Sequence, residues 1–240
     1  MGNGSRIGIV AALEREVRPL IRTWRVREAD HEGRRFRFFE NGDAVLVCGG
    51  MGAVAARRAA EAMIATYQPG VIYSAGFAGA LDPGLKVGEV IEPRRVVDAS
   101  DGSSISLESG EGVLVTFGSV ASPAQKAKLR NSFAAQAVDM EAAAVARAAQ
   151  AQGVAFAAVK AISDDFEFDF PPLERFVDPD GRFKEGGFSA FAVLRPWLWP
   201  HVSQMARNSR KASSALCRRL ESLVLKPSPA SSDQEVVSRR

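Results

Sequence analysis

The sequence predicts an α/β protein with three layers, in which helices cover both faces of a central mixed sheet. Three observations lead to this prediction. Short apolar runs of strand length alternate along the chain with longer segments of helical periodicity. Glycine-rich or acidic residues follow several of the strands, as is common where ligands bind to such sheets. The 240 residues are 46% hydrophobic, enough for one core without disulfides or a structural metal.

The first half of the chain alternates between strand and helix signals. Apolar runs or stripes predict a strand at residues 7–12, a helix at 13–24, strands at 36–39 and 44–48, a helix at 53–67 and a strand at 71–74. Asn41-Gly42-Asp43 is a hairpin signal between the second and third strands. Gln68-Pro69-Gly70 ends the second helix.

The second half continues the alternation and then changes character. It predicts strands at residues 88–97 and 112–116, helices at 123–133 and 138–152, and a strand at 154–162. Residues 166–187 are rich in Pro, Asp, Gly and Phe and predict a long functional loop. Residues 188–225 return to helical periodicity, interrupted at Pro196 and Pro200. We therefore expect one domain over residues 1–225, with an aromatic lid at 166–200, and a disordered tail at 226–240.

Composition excludes several classes of protein. The two cysteines, Cys48 and Cys217, lie far apart and match no metal-binding spacing, which indicates a reducing cytoplasm and no metal site. The net charge is +3, and basic residues gather near residues 22–37 and 207–219. No nucleic-acid motif accompanies them, so we expect no nucleic-acid partner. The chain shows no signal-peptide pattern and no apolar run of the roughly 18 residues that span a bilayer.

Residues able to do chemistry follow the predicted strands. Four segments have this position: Glu14/Glu16, Gly49–Gly52, Ser74–Gly79 and Ser163–Asp165. Asp139 and Glu141, on either side of Met140, add two acids. The sequence therefore predicts a cluster of carboxylates without a nucleophilic serine or cysteine motif. Gly49–Gly52 does not fit a dinucleotide fingerprint. Its glycines indicate either tight turns or backbone N–H groups that contact a substrate hydroxyl or anion.

Four ordered blocks between residues 7 and 165 resemble the methylthioadenosine/S-adenosylhomocysteine nucleosidases of the nucleoside phosphorylase/nucleosidase superfamily. The blocks are Ile7-Gly8-Ile9-Val10-Ala11-Ala12-Leu13-Glu14-Arg15-Glu16-Val17, Ser74-Ala75-Gly76-Phe77-Ala78-Gly79-Ala80-Leu81, Val138-Asp139-Met140-Glu141-Ala142 and Val159-Lys160-Ala161-Ile162-Ser163-Asp164. This resemblance implies cleavage of a purine nucleoside at its N-glycosidic bond, without a cofactor, in a homo-oligomer.

The resemblance also implies roles for single residues. Glu16 matches the carboxylate that activates water, and Met140 and Glu141 match the residues that pack on the ribose and hold its hydroxyls. Ser163 and Asp164 match the pair that binds and protonates purine N7. An acid of this kind needs a raised pKa, which burial would supply. Ordinary roles stay open: Asp164 as a helix N-cap, Glu141 as a helix-dipole partner, and Glu16 as a solvated residue.

The chain departs from the nucleosidase pattern near the attacking group. Phe77, next to Gly76, replaces a serine, and Lys160 replaces the usual arginine. The phosphate-binding residues of the related phosphorylases are also missing, although Lys160 or Arg94 could supply a cation. Hydrolysis is favoured and phosphorolysis stays open. Residues 116–120, including Val120, would lie near the base, without a stacking aromatic in register, although Phe117 is close.

The aromatic lid points to an unusual substrate. Phenylalanines recur through it, and Pro196-Trp197-Leu198-Trp199-Pro200 leads into a basic stretch. This combination resembles the bacterial hopanoid-associated phosphorylases, which implies adenosylhopane as the substrate and adenine as a product. Trp197 and Trp199 predict contact with the inner face of an anionic membrane, or else an aromatic core beside a solvated basic face. The rival hypotheses are a soluble methylthioadenosine/S-adenosylhomocysteine nucleosidase or purine nucleoside phosphorylase, and a non-catalytic nucleoside-binding module.

Overall fold

The computed structural model describes residues 6–170, 173–176, 178, 181, 183–193 and 195–225. Within these residues a mixed sheet of eleven strands forms the middle layer. The strands are β1 (Ile7–Ala11), β2 (Arg25–His31), β3 (Arg34–Asn41), β4 (Ala44–Cys48), β5 (Val71–Ala80), β6 (Val90–Ile91), β7 (Arg95–Asp98), β8 (Ser104–Ser106), β9 (Val113–Thr116), β10 (Ala137–Asp139) and β11 (Ala155–Asp164). The tail predicted to be disordered, residues 226–240, lies outside the described residues.

Six α-helices pack around the sheet in the described part of the chain. They are α1 (Glu14–Ile21), α2 (Ala53–Tyr67), α3 (Pro123–Phe133), α4 (Ala142–Ala151), α5 (Glu185–Val193) and α6 (Trp199–Val224). Two 3-10 turns, Leu173–Phe176 and Pro196–Leu198, lie in the lid. None of these helices combines the length and the apolar character needed to cross a bilayer.

Alternating side chains of the strands build a separate core on each face of the sheet. Ile9 and Leu46 point to one face, where α1 and α6 cover them. Val10 and Val45 point to the other face, under α2 and α4. Because successive side chains of a strand lie on opposite faces, apolar runs without polar alternation require a cover on both sides. The predicted three-layer α/β/α fold with a mixed sheet is confirmed.

Two strands at the centre of the sheet set up the functional edge. β5 pairs in parallel with β1 over its first residues and with β11 along most of its length. Its last residues, Gly79 and Ala80, instead pair antiparallel with β10. A bulge in β11 between Ile162 and Asp164 shifts the register, so that Asp164 lies opposite Gly79. The bulge brings the ends of β5, β10 and β11 together.

Several predicted elements need correction. The segment 88–97 is two short strands in different places: β6 pairs with β11, whereas β7 pairs with β8 and β9. The predicted helix at 138–152 begins only at Ala142, because residues 137–139 form β10. The strand predicted to end at Ser74 continues to Ala80 through the glycine-rich turn. β2 and β8 were not predicted, because their polar or very short segments carry little apolar periodicity.

Candidate active site

A cavity of about 850 Å³, including space open to solvent, lies at the edge where β1, β5, β10 and β11 end. Seven of the nine predicted site residues line it: Glu16, Phe77, Val120, Met140, Glu141, Ser163 and Asp164. The other two, Gly76 and Lys160, lie directly behind this wall. A Cβ atom placed on Gly76 would be 3.0 Å from Glu16 Oε2 and 3.8 Å from Lys160 Nζ. The sequence-predicted residues therefore occupy one site.

Glu16 is buried in the first turns of α1, with 6% of its surface exposed. Its Oε2 atom has no hydrogen-bond partner within the described part of the chain. Burial, followed by the nearby Glu141 carboxyl, raises the pKa of Glu16 from 4.5 to about 8, although Lys160 and Arg15 lower it. A solvated helix residue would not have these properties, so that interpretation of Glu16 is wrong.

Lys160 is buried and its charge is neutralised by carboxylates. Its Nζ atom donates to Asp139 Oδ2 at 2.8 Å. Burial alone would lower the pKa of Lys160, but Asp139, Glu141 and Glu16 outweigh this effect and raise it. Lys160 therefore stays an ammonium group, and the three neighbouring carboxyl groups offset its positive charge. Arg94, the other cation considered for phosphate, is exposed and does not line the cavity.

Asp139 has a structural role that the sequence analysis did not separate from its neighbours. Its Oδ1 atom accepts from the Thr116 hydroxyl at 2.6 Å. Its Oδ2 atom accepts from the backbone N–H of Ala142 at 2.8 Å, in the first turn of α4. A carboxylate in this position satisfies a free N–H group of the helix start and stabilises the helix dipole. Asp139 thus anchors both α4 and Lys160.

Glu141 precedes α4 and is fixed from two sides by backbone groups. The N–H of Gly52 donates to Glu141 Oε1 at 2.8 Å, and the N–H of Met140 donates to Oε2 at 3.3 Å. Burial, followed by the Asp139 charge, raises the pKa of Glu141. The Glu141 side chain makes no capping hydrogen bond to α4, whereas Asp139 accepts one from the Ala142 N–H.

The glycine-rich segment Gly49–Gly52 does not present free N–H groups to the cavity. The N–H groups of Gly49 and Gly50 donate to carbonyls of β1 and its following residue, and that of Met51 donates to the Gly181 carbonyl at 2.7 Å. The Gly52 N–H binds Glu141. The hypothesis that these groups contact substrate directly is therefore wrong. Their effect on the site is to position Glu141.

Asp164 closes β11 and is buried, with 4% of its surface exposed. The Ser163 hydroxyl donates to Asp164 Oδ1 at 2.7 Å. A Cβ atom on Gly79 would lie 2.7 Å from Asp164 Oδ2, so any larger residue at this position would require the carboxyl group to shift. No helix starts at Asp164, and the N-cap interpretation is wrong. Burial raises the pKa of Asp164, against the opposing effect of a neighbouring cation.

That cation is Lys126, which the sequence analysis missed. Its Nζ atom donates to Asp164 Oδ2 at 2.5 Å and to the Asp165 carbonyl at 2.5 Å, and its side chain is fully buried. A capping box of Ser122 and Gln125 fixes the start of α3. Lys126 is three residues before the buried Leu129, and this helical spacing is the signal that could have placed it on the inner face.

Residues outside the sheet complete the wall of the cavity. Phe170 lines it and packs edge-on against Phe168, with ring centroids 4.8 Å apart. Met205 and Ser209 of α6 also line it. Phe117, considered as a stacking aromatic, instead packs in the core beneath α3 and lies outside the lining. The lid, not the segment after β9, supplies an aromatic ring to this cavity.

Comparison with known proteins agrees with this geometry. A family profile described as the Phosphorylase superfamily matches residues 6–112 and 103–177. Over 97 residues the chain is 35% identical to a 5′-methylthioadenosine/S-adenosylhomocysteine nucleosidase of Marinomonas sp., covering 39% of this chain and 42% of that protein. Over 197 residues it is 27% identical to the nucleosidase of the same name from Staphylococcus aureus, covering 66% of this chain and 86% of that protein.

Solved structures show the same fold. The native futalosine hydrolase of Helicobacter pylori matches with a TM-score of 0.68 and 20% sequence identity, covering 92% of this chain and 97% of that one. At this level of identity the likeness concerns the arrangement of strands and helices.

The raised pKa of Glu16 predicts a pH-dependent gain in stability for Glu16→Gln. Between pH 4.5 and about 8 the folded protein keeps a proton that the unfolded chain has released. The stability of the wild type therefore falls as pH rises through this window, and the variant avoids the loss. We expect the difference in Tm, variant minus wild type, to grow between pH 5 and pH 8.5 in thermal unfolding.

Glu14→Gln is the control, because Glu14 lies on the same helix with its side chain 47% exposed. It should give no comparable gain. A Tm difference for Glu16→Gln that stays constant across the pH range would contradict the assignment.

Proposed function

Because the chain belongs to the phosphorylase superfamily, we propose that it cleaves the N-glycosidic bond of an adenine nucleoside and releases adenine. One observation carries this proposal: Glu16, Glu141 and Asp164 line a single cavity, and the pKa of each is raised. Enzymes commonly cleave a glycosidic bond between two carboxyl groups. One carboxyl group protonates the leaving group, and the other lies beside the sugar, where positive charge develops. The nucleosidase relatives support the same chemistry.

In the proposed reaction Asp164 acts as the acid. Its raised pKa keeps a proton available, and it donates that proton to N7 of the departing base. The electron pair of the C1′–N9 bond then moves into the purine ring. The Ser163 hydroxyl, 2.7 Å from Asp164 Oδ1, orients the carboxyl group. We propose that Phe170, one of the two phenylalanines of the described residues that line the cavity, packs against the base.

Glu141 and Met140 form the proposed ribose subsite. Two backbone N–H groups hold the Glu141 carboxyl in a fixed orientation, so it accepts hydrogen bonds from ribose hydroxyls without reorganising. Met140 supplies an apolar surface beside the sugar. An anionic group here also stabilises the positive charge that develops on the ribose as the base departs.

We propose water as the attacking group, because the lysines near the cavity are already paired with carboxyl groups. Glu16 has a carboxyl oxygen without a protein partner and, once ionised, is able to take a proton from water. A phosphate dianion would need a cation, yet Lys160 is surrounded by Asp139, Glu141 and Glu16, and Lys126 is bound to Asp164. We therefore propose hydrolysis, with phosphorolysis as the alternative that the assay below distinguishes.

Two observations bear on the group attached to the ribose. The relatives support 5′-methylthioadenosine or S-adenosylhomocysteine as the substrate. Phe77 and the lid support a larger apolar group, and we propose adenosylhopane, the substrate implied by the resemblance to hopanoid-associated phosphorylases. A neighbouring groove of about 1000 Å³, including space open to solvent, lies between α1 and α6 and shares Arg15, Phe77 and Ser209 with the cavity. This α1–α6 groove is lined by Arg15, Arg18, Pro19, Arg22, Phe77, Ser209, Arg210, Ser213 and Ser214.

The α1–α6 groove lies near a surface suited to an anionic membrane, which would deliver a lipid substrate. Trp197 and Trp199 have 69% and 56% of their surface exposed. On α6, Arg207, Arg210 and Arg218 recur at helical spacing after Trp199 and are also exposed. Exposed tryptophans next to a basic helix face are typical of peripheral membrane contact. We propose that this face rests on the inner leaflet.

The proposed acid predicts that Asp164→Asn lowers kcat/KM for adenine release by roughly 10²- to 10⁴-fold, as expected for loss of general acid catalysis. Adenine release is measured with methylthioadenosine, S-adenosylhomocysteine and adenosylhopane, each with and without phosphate. Asp43→Asn, at an exposed position between β3 and β4, is the control and should stay near the wild-type rate. Full activity of Asp164→Asn would remove Asp164 from its role, and a strict requirement for phosphate would establish phosphorolysis.

Filling the α1–α6 groove distinguishes the substrates. Ser214 is exposed and lines this groove but not the cavity, so Ser214→Trp should block a long apolar group and leave the catalytic residues in place. We expect adenosylhopane turnover to fall at least tenfold while methylthioadenosine turnover changes little. Ser222→Trp, exposed farther along α6, is the control. Equal adenosylhopane turnover in both variants would show that the lipid does not use this groove.

The membrane surface predicts that the Trp197→Ala, Trp199→Ala double variant binds anionic vesicles less well. Loss of two interfacial rings should lower co-sedimentation with phosphatidylglycerol vesicles several-fold and leave methylthioadenosine turnover unchanged. Leu225→Ala, which removes another exposed apolar side chain at the far end of α6, is the control. Unchanged co-sedimentation of the double variant would disprove the membrane contact.

A further inference from the structure

We propose that Lys126 is a positioning residue for the reaction: it stabilises the carboxylate that Asp164 becomes when it gives its proton to the departing base. This inference rests on the proposed function, since it assigns a partner to the proposed acid. None of the residues carried over from the nucleosidase resemblance corresponds to Lys126. The case stands on the place of this lysine in the fold and on its contacts.

The contacts of Lys126 are specific to Asp164. The side chain leaves the first turns of α3 and is fully buried, and its ammonium group reaches Asp164 Oδ2 at 2.5 Å. A second N–H donates to the Asp165 carbonyl at 2.5 Å, which fixes the direction of the first. The Ser163 hydroxyl occupies the other oxygen, Oδ1. Each oxygen of the Asp164 carboxyl group thus has a donor at a defined distance.

A lysine at this position is unfavourable for α3 itself. It lies near the N-terminus of the helix, where the helix dipole repels a cation. Its burial removes the ammonium group from water, which is costly unless a charged partner compensates. An apolar residue would pack there without either cost, as Leu129 does one turn later on the same face. The position of Lys126 is therefore explained by its partner, Asp164, and not by the stability of the helix.

The interaction between Lys126 and Asp164 changes when Asp164 gives up its proton. In the proposed reaction Asp164 carries a proton before bond breaking, and its burial favours this neutral form. As the C1′–N9 pair moves into the purine, the Asp164 proton moves to N7, and a carboxylate is left in a buried site. The Lys126 Nζ atom lies against that new charge, so the carboxylate forms next to a hydrogen-bond donor already in place. Lys126 stabilises the Asp164 carboxyl group more strongly after the proton transfer than before it. An interaction that strengthens as the reaction proceeds lowers the activation barrier.

The central test compares Lys126→Met with Lys128→Met. Lys128 is exposed on the same helix, so its variant controls for the loss of a lysine from α3. With methylthioadenosine or adenosylhopane, whichever the wild type cleaves, we expect Lys126→Met to lower kcat roughly 10²-fold with little change in KM. Lys128→Met should match the wild type. A kcat of Lys126→Met equal to that of Lys128→Met would overturn the inference.

The pH profile separates an electrostatic role from a structural one. The charged groups that face Asp164 in the described part of the chain are Lys126 and Asp165. Without Lys126 the neutral form of Asp164 is favoured further, so the alkaline limb of kcat/KM should move to higher pH in Lys126→Met. Lys126→Arg, which keeps the positive charge, should restore the wild-type limb. A purely structural role would lower the rate without moving the limb.

Two further measurements keep the inference testable if Lys126→Met folds poorly. Lys126→Gln keeps a hydrogen-bond donor and removes the charge, and should show the same loss of kcat. In the Asp164→Asn background, replacement of Lys126 should cost no additional rate, because its action passes through Asp164. An additive loss would contradict the inference.

A substrate that needs no protonation of its leaving group gives the last control. 4-Nitrophenyl β-D-ribofuranoside releases a stable phenolate, so Lys126→Met should cleave it at nearly the wild-type rate. An equal loss on both substrates would point to damaged folding or binding and overturn the inference. If the wild type itself releases no adenine from any nucleoside tested, the proposed function fails and the assignment of Lys126 fails with it.

Discussion

The site depends on a shortage of positive charge among its buried groups. Four carboxyl groups, those of Glu16, Asp139, Glu141 and Asp164, lie close to two ammonium groups, those of Lys126 and Lys160. Full ionisation would leave two negative charges in a place that water reaches poorly, and such a state is expensive. Burial is the largest cause of the raised pKa values of Glu16, Glu141 and Asp164, and a neighbouring carboxyl group raises each of them further. The site therefore favours protonated carboxyl groups more than water does.

These buried charged groups have different roles in the structure. Lys160, behind the wall of the cavity, pairs with Asp139 in the wall, and this pair ties β11 to the start of α4. Lys126 pairs with Asp164 at the end of β11. Glu16 alone keeps a carboxyl oxygen that no described protein group binds. Structural pairing therefore leaves one carboxyl group available to a small molecule, which agrees with the proposed activation of water.

Most of the fold and of the site could be predicted because their signals are local. Apolar runs and helical stripes mark the layers, and the ends of the strands locate residues such as Glu16 and Asp164 near one another. Lys126 could not be found in this way, since its pairing with Asp164 depends on how α3 lies across the sheet. β10 was not predicted, because its strand of three residues lies only two residues before the start of α4 and has no separate sequence signal. The α1–α6 groove depends on tertiary packing and has no sequence signal.

The glycine opposite Asp164 limits how β5 can vary. A Cβ atom at position 79 would lie 2.7 Å from Asp164 Oδ2, so a larger residue there requires the carboxyl group to shift. That shift would have to stretch or break the contacts of Asp164 with Lys126 and Ser163. The backbone of one strand thereby restricts the orientation of a carboxyl group on its neighbour.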